Sequence, residues 1–357
     1  MSGFGRVTFL QGFSLTIWDT PHKFDKASGI WYNIDMSNFM QETMFTDALC
    51  EAMTSKRSFL KTIDSLIPWE DWISKIQPVY YEGRIGQKPY PIELVLRMYV
   101  LQNLYDLSDM GVMTEVIDSR AFSWFCGITS PADVPDGDTV GRFRNLLIKN
   151  DIQKLIFENV TALFEGKGWI LKKGTIVDST IIAAPSSTKN KEHKRDPEAK
   201  STKKGSNYHF GYKAHIGVDK DTGLIHHVKA TEASVHDTNG VEDTIYGEEE
   251  EIYGDSGYLN VEEHISEEKS DDKRKYFINL RKSMIAKMEP NDQLVAKCEN
   301  ACYSSVRSKV EHPFNVVKRL FKFRRTRYRG LLKQQAKFYM IFALANLYLA
   351  DRKKPSA

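Results

Sequence analysis

At Gly174 the hydrophobic period of this 357-residue chain changes, and the change puts two kinds of architecture in one polypeptide. From about residue 56 to 170 the pattern is helical. Pro91 opens PIELVLRMYVLQNLYDL, where Leu94, Val95, Met98, Leu101, Leu104 and Tyr105 fall at the spacing of one helix face. Proline suits that first turn because its missing N–H would have no helical partner there. A second helix follows the turn VPDGD, capped by Asp138 or Thr139, with Phe143, Leu146 and Leu147 inward and Arg142, Arg144 and Lys149 in solvent. After Gly174 the texture is that of strands. GTIVDSTIIAA is short and β-branched, a polar loop runs from Ser186 to Ser206, and YHFGYKAHIGVD and LIHHVKATEAS form a hairpin about DKDTG. HDTNGVEDTIYGEEE reads as a short helix or loop, EIYGDSGYLN as a fourth strand, VEEHISEEKSDD as a polar helix and KYFINLRK as a fifth strand. From about residue 291 the chain is helical to its end.

Three strands, a helical link, a strand, a helix, a strand and a long helix form the mixed α/β order of an RNase H-like sheet. The expected organisation is an N-terminal extension over 1–55, a helical domain over 56–170, the sheet domain over 171–352 and a tail over 353–357. Residues 1–35 are rich in Gly and aromatics without periodicity, and one reading makes them an extension translated from upstream of the true start.

Net charge is only +3, so a nucleic-acid footprint must be local. It is concentrated in Lys318, Arg319, Lys322, Arg324, Arg325, Arg327 and Arg329, seven cations within twelve positions, interleaved with Phe321, Phe323 and Tyr328. The longest apolar stretch, Phe338 to Ala350, is too short to span a bilayer and is interrupted by Asn346; it reads as a buried C-terminal helix. No signal peptide is evident, and the expected location is the cytoplasm. Four cysteines without a C-x-x-C pair fit reduced thiols. Cys298 and Cys302 lie one helical turn apart, either as small buried residues or as a metal clip with His312.

Three acids stand out. Asp178 interrupts the apolar strand TIVDSTII, where an ionised side chain needs either a partner or the solvated face; strand alternation leaves both readings open. Asp255 ends a strand between Gly254 and Ser256-Gly257, as a ligand-facing residue or as a turn former. Glu311 sits in RSKVEHPFNVVKRLFKFRRTRYRG, with Arg307 four positions before it and Lys318 seven after it. On a regular helix all three share one face. In RNase H-like order the first and fourth strands are neighbours and the last helix packs beside them, so the acids would converge as oxygen ligands for hard divalent ions. Lys213 shares a strand face with His209 and His215 and would reach substrate phosphate or stay as surface charge. His236-Asp237 would hydrogen-bond near the acids or cap the next helix. The lysine-rich loop around Lys189–Lys204 has mixed sign and reads as solvated, ordering on DNA.

VDSTIIAAPSSTKNKEHKRDPEAK, KKGSNYHFGYKAHIGVD, YGDSGY and the Arg307–Lys333 segment resemble the DDE transposases of bacterial insertion sequences, in the branch with the R-x3-E-x6-K signature. SLIPWEDW, KPYPIELVLRMYVLQNLYDLSD and PDGDTVGRFRNLL resemble the N-terminal domain that accompanies it. The resemblance implies Asp178, Asp255 and Glu311 as metal-binding catalytic acids for two Mg²⁺ ions, with Mn²⁺ substituting. It implies Arg307 and Lys318 as phosphate contacts, and a DNA transposase that binds terminal inverted repeats as a homodimer, cleaves them and transfers strands. Ser304 departs from the pattern, which has Tyr there; Tyr303 is one place earlier. The rival readings are an inactive, repeat-binding repressor and an unselective RNase H-like nuclease.

Overall fold

The computed structural model describes residues 53–80, 89–189, 193–269 and 273–352, and the backbone of two short antiparallel ribbons, Arg6–Thr8 with Ser14–Thr16 and His22–Asp25 with Ile30–Asn33. The upstream-extension reading of residues 1–35, Lys191, Glu192 and the tail 353–357 otherwise lie outside the described residues. The chain forms two compact units, Met1–Ser58 and Phe59–Ala357.

Among the described residues, seven helices precede the sheet: α1 (Ser55–Leu66), α2 (Trp69–Tyr80), α3 (Ile92–Leu104), α4 (Asp109–Asp118), α5 (Arg120–Cys126), α6 (Gly137–Lys149) and α7 (Ile152–Gly166). Pro91 stands at the start of α3 as expected, but the helix is central rather than one-faced: Val95, Leu96 and every residue from Met98 to Leu104 are buried. Two of its buried polar members donate locally, Gln102 to Asp109 Oδ1 (2.6 Å) and Asn103 Nδ2 to the Tyr99 carbonyl (2.7 Å). The cap of α6 is Asp136, not Asp138 or Thr139, because the helix begins at Gly137; the Asp136 carboxylate accepts the Thr139 N–H at 2.6 Å.

The sheet comprises β1 (Gly174–Ala183), β2 (Lys200–Lys204), β3 (Asn207–Asp219), β4 (Ile225–Glu232), β5 (Glu251–Gly254) and β6 (Lys275–Ile278). β3 pairs antiparallel with β1, β2 and β4, while β5 lies parallel to β1 and β6 parallel to β5. This is the RNase H-like order, with β1 between β3 and β5. The strand β2 was read as loop. Its sequence, KSTKK, has no apolar alternation because it is a lysine-bearing edge, exposed on both faces. The loop before it is anchored rather than free: Asp196 is buried and accepts from Tyr212 Oη (2.6 Å) and Gly330 N (3.1 Å), and Glu198 accepts from Leu331 N (2.6 Å).

Beyond the sheet lie α8 (Lys282–Ile285), α9 (Pro290–Arg307), α10 (Glu311–Asn315) and α11 (Leu331–Asp351). One core runs from Leu60 through Ile176 and Ile216 to Ala350, so the helices and one sheet face share their apolar interior. Val177, Ile252, Tyr258 and Val261 form a smaller core on the opposite face. α11 is the buried C-terminal helix the sequence suggested, packed on α7 and β4. Cys298 and Cys302 are exposed on α9, neither buried nor clipped with His312.

Arg144, expected in solvent, is buried. It pairs with Asp109, and its guanidinium lies 4.0 Å from the Tyr328 ring. Close by, Lys337 is buried from α11, and burial pushes its ammonium down to about 8, against the opposing charge of Asp106. Below that pH the folded and unfolded chains both carry the charge, and the fold bears the full burial cost. Between about 8 and 10.5 the folded chain is neutral first, so this group makes stability rise with pH. Lys337→Met is expected to stabilise the protein at pH 7 by about 2 kcal/mol and to flatten the alkaline rise, measured by denaturant unfolding at pH 7 and pH 10. Asp106 keeps Arg327 as its partner.

Candidate active site

β1 and β5 run side by side, Ile176 opposite Tyr253, and this pairing sets Asp178 and the β5 end beside each other. Asp178 shares a strand face with Ile176, whose side belongs to the large core, whereas Val177 points to the small one. The alternation therefore turns Asp178 toward the C-terminal helices. Its Oδ1 accepts the Ser179 N–H at 2.7 Å, and Arg307 Nη2 lies 3.6 Å from its Oδ2. Burial raises its carboxyl to about 6; the Ser179 N–H and Arg307 work against that, and the negative charge of Asp255 adds to it. Asp255 follows β5, its Oδ1 accepting the Gly257 N–H at 2.8 Å. A Cβ on Gly257 would stand 2.9 Å from that oxygen, so the turn needs glycine to come so close.

Glu311 is exposed at the first residue of α10 and, among the described residues, forms no close group of three acids with the two aspartates. The helix is irregular there. Ser308–Val310 form a 3₁₀ turn, with φ −54° and ψ −23° at Ser308, and a π turn covers Val316–Leu320. A 3₁₀ turn advances about 120° per residue instead of about 100°, so Glu311 is rotated off the face it would share with Arg307. No group of three or more His, Cys, Asp or Glu side chains among the described residues stands close enough to hold one metal ion. In kind, the donors fit a hard divalent cation. Two carboxylates from adjacent strands repel one another, and a cation between them would relieve the charge that lifts Asp178.

The cations divide into two groups. Arg319, Lys322, Arg324, Arg325 and Arg329 are exposed, while Phe321 and Phe323 alternate with them into the core. The run is tied to β1: Ala183 N donates to the Arg324 carbonyl (3.1 Å) and Thr326 N to the Ala183 carbonyl (2.8 Å). Lys318 is half-buried; burial lowers its pKa, and Lys204 and Arg324 lower it further. Several expected phosphate contacts, exposed ones among them, also bond within the protein: Arg324 Nε donates to the Lys318 carbonyl (3.0 Å) and Arg329 Nη2 to the Lys194 carbonyl (3.2 Å). Arg327 donates to the Asp106 carbonyl (2.6 Å), and Arg307 reaches Asn279 Oδ1 (3.3 Å) as well as Asp178. Lys213 is buried, its ammonium 2.5 Å from the Val235 carbonyl and 2.9 Å from Asp237 Oδ1, so it does not face phosphate. Asn279 also donates to Ser304 Oγ (3.1 Å), and Tyr303 packs edge-on against Phe277, so neither takes the place of the expected Tyr.

Two residues near the acids were underread. His236 caps the following turn, and Asp237 accepts from Ser179 Oγ at 2.6 Å, so both readings of that dipeptide hold, one for each residue. Burial works against the charge on Asp237, but the bonds from Ser179 and Lys213 prevail and hold its carboxyl below the ordinary value. Tyr258 is buried beneath the acids, and burial, then the charges of Asp178, Asp237 and Asp255, keep its hydroxyl protonated. Its only sequence signal was the second aromatic of YGDSGY.

A family model described as the transposase DDE domain matches residues 169–347. The chain belongs to that family. A second model, a transposase domain (DUF772), matches residues 48–146, and no solved structure matches. The DDE match spans the whole sheet, the two aspartates and Glu311; the second covers α1 to α5 and most of α6. DDE transposases are in general divalent-metal dependent, which agrees with the donor chemistry of the aspartate pair. Among the described residues, no helix is long and apolar enough to cross a membrane.

Proposed function

We propose that this DDE transposase binds the terminal inverted repeats of its own insertion sequence as a pair of copies, cleaves them with Mg²⁺ and joins the freed ends to target DNA. The observation that carries this reading is the juxtaposition of Asp178 on β1 with Asp255 at the end of the neighbouring parallel strand β5, beside a basic run whose backbone is hydrogen-bonded to β1. Asp178, Asp255 and, from the adjoining helix, Glu311 are the acids we assign to the metal. When bound, divalent ions would activate the attacking hydroxyl and stabilise charge on the leaving oxygen of a phosphodiester. Arg307 holds the Asp178 carboxylate until DNA and metal arrive. Lys204, Lys318 and Arg324, three like charges gathered beside Asp178, neutralise the phosphates flanking the reacting bond. The helical region ahead of the sheet supplies site choice.

Duplexes with and without the element's ends test this reading. Selective binding with Mg²⁺-dependent cleavage supports it, binding alone points to a repressor, and indiscriminate cleavage points to a general nuclease. Lys318→Ala is expected to weaken binding severalfold and to reduce the salt slope of log K by about one, read from affinity at several salt concentrations.

A further inference from the structure

Asp237 is bonded to the segment that carries Asp178 and lies near the one that carries Asp255. Its Oδ1 accepts from Ser179 Oγ at 2.6 Å, and Ser179 in turn gives its N–H to Asp178 Oδ1 at 2.7 Å. On its other side stands Gly257, whose Cβ, if it had one, would lie 3.8 Å from Asp237 Oδ2 and 2.9 Å from Asp255 Oδ1. The cation beneath is Lys213, which β3 brings opposite Ile181 on the same strand as Asp178. The turn that carries Asp237 is itself fixed. Gly240 lies on the ring of His215, where a Cβ would come within 2.5 Å of Nδ1, and His215 Nε2 is hydrogen-bonded to Thr231 Oγ1 at 2.8 Å.

Lys213 is buried and Asp237 half-buried, and an ion pair taken that far out of water is a poor source of stability, since apolar residues of similar volume do as well or better. What it provides is direction. A carboxylate fixed by an ammonium is a strong, oriented acceptor, and here it takes the hydroxyl of the residue next to the proposed metal ligand. We propose that Lys213 and Asp237 are positioning residues: by holding the Ser179 hydroxyl they fix the stretch of β1 whose N–H holds the Asp178 carboxylate, and so set that carboxylate's place. This rests on the reading of Asp178 and Asp255 as the catalytic acids. Lys213 and Asp237 act on metal capture and geometry without touching DNA.

Ser179→Ala and the double variant Lys213→Met/Asp237→Leu test the proposal in the full-length protein. Ser179→Ala is expected to lower the unfolding midpoint slightly, through loss of its bond to Asp237, and to keep the wild-type end-binding affinity. Its cleavage rate at saturating DNA should fall about tenfold, with a severalfold rise in the Mg²⁺ concentration for half-maximal rate. Ser179→Thr, which retains the hydroxyl, should recover most of the rate. The double variant should regain the stability that Asp237→Asn alone loses, without regaining cleavage. Wild-type rate and Mg²⁺ dependence in Ser179→Ala, or cleavage restored together with stability in the double variant, would overturn the positioning role. If Asp178→Asn and Asp255→Asn also cleave normally, it is the catalytic reading that fails; if they are inactive while Ser179→Ala is normal, only the positioning proposal fails.

Discussion

Asp178→Asn, Asp255→Asn and Glu311→Gln are each expected to lower cleavage of an end-bearing duplex by about a thousandfold or more, about 4 kcal/mol of barrier, while leaving end binding nearly intact. Each amide keeps the shape of the acid and removes the charge a divalent cation needs. For Asp178 the fold offers a control against trivial unfolding. Its carboxyl is lifted by burial and by Asp255, so the neutral amide relieves a cost, and Asp178→Asn should unfold no earlier than the wild type without Mg²⁺. Glu311→Gln is the most informative of the three, because Glu311 forms no close group of three acids with the aspartates here. Near-normal cleavage by any one variant removes that residue from the site. Single-turnover cleavage and a binding isotherm on the same duplex provide the measurement.

Asn346→Leu is expected to destabilise the fold by about 3 kcal/mol or more, which denaturant unfolding would read as a lower midpoint at unchanged slope. Asn346 is fully buried in α11, yet it is neither a defect of an apolar helix nor a spare polar group. Its Oδ1 accepts the Ile225 N–H at 2.9 Å, and its Nδ2 donates to the Ile225 carbonyl at 2.6 Å. These are the backbone groups of the first residue of β4. Leucine would fill the volume and strip both groups of their partner, at about 1–3 kcal/mol each. An unchanged midpoint would mean that the β4 backbone finds other partners.

The Asn346 pair marks the limit of what the sequence makes legible. The interruption of the apolar run was visible, but its partner lies 121 positions away, and no local pattern points to it. The same holds for Arg144 with Asp109 and Tyr328, read as solvated charge, for Arg327 with Asp106, read as part of the nucleic-acid footprint, and for Lys213 with Asp237, read as a phosphate contact or surface charge. Strand order was legible because five strands carry β-branched or aromatic runs bounded by turn residues, and that order sufficed to bring Asp178 beside the Asp255 segment. β2 was not, since a polar edge strand looks like a loop. Nor was the rotation of Glu311, because i to i+4 spacing presumes a regular α-helix, and Ser308–Val310 tighten it.

The pairing of Ala183 with Arg324 and Thr326 gives this last stretch a fixed length. Arg307 is tied to Asp178 and Thr326 to Ala183, so the chain between them leaves one strand and returns to it. Replacing the exposed Arg319 within it alters charge and leaves both ties in place. Adding or deleting a single residue would break one of the two ties or bulge the backbone between them, so the segment tolerates substitution far better than any change in its count of residues.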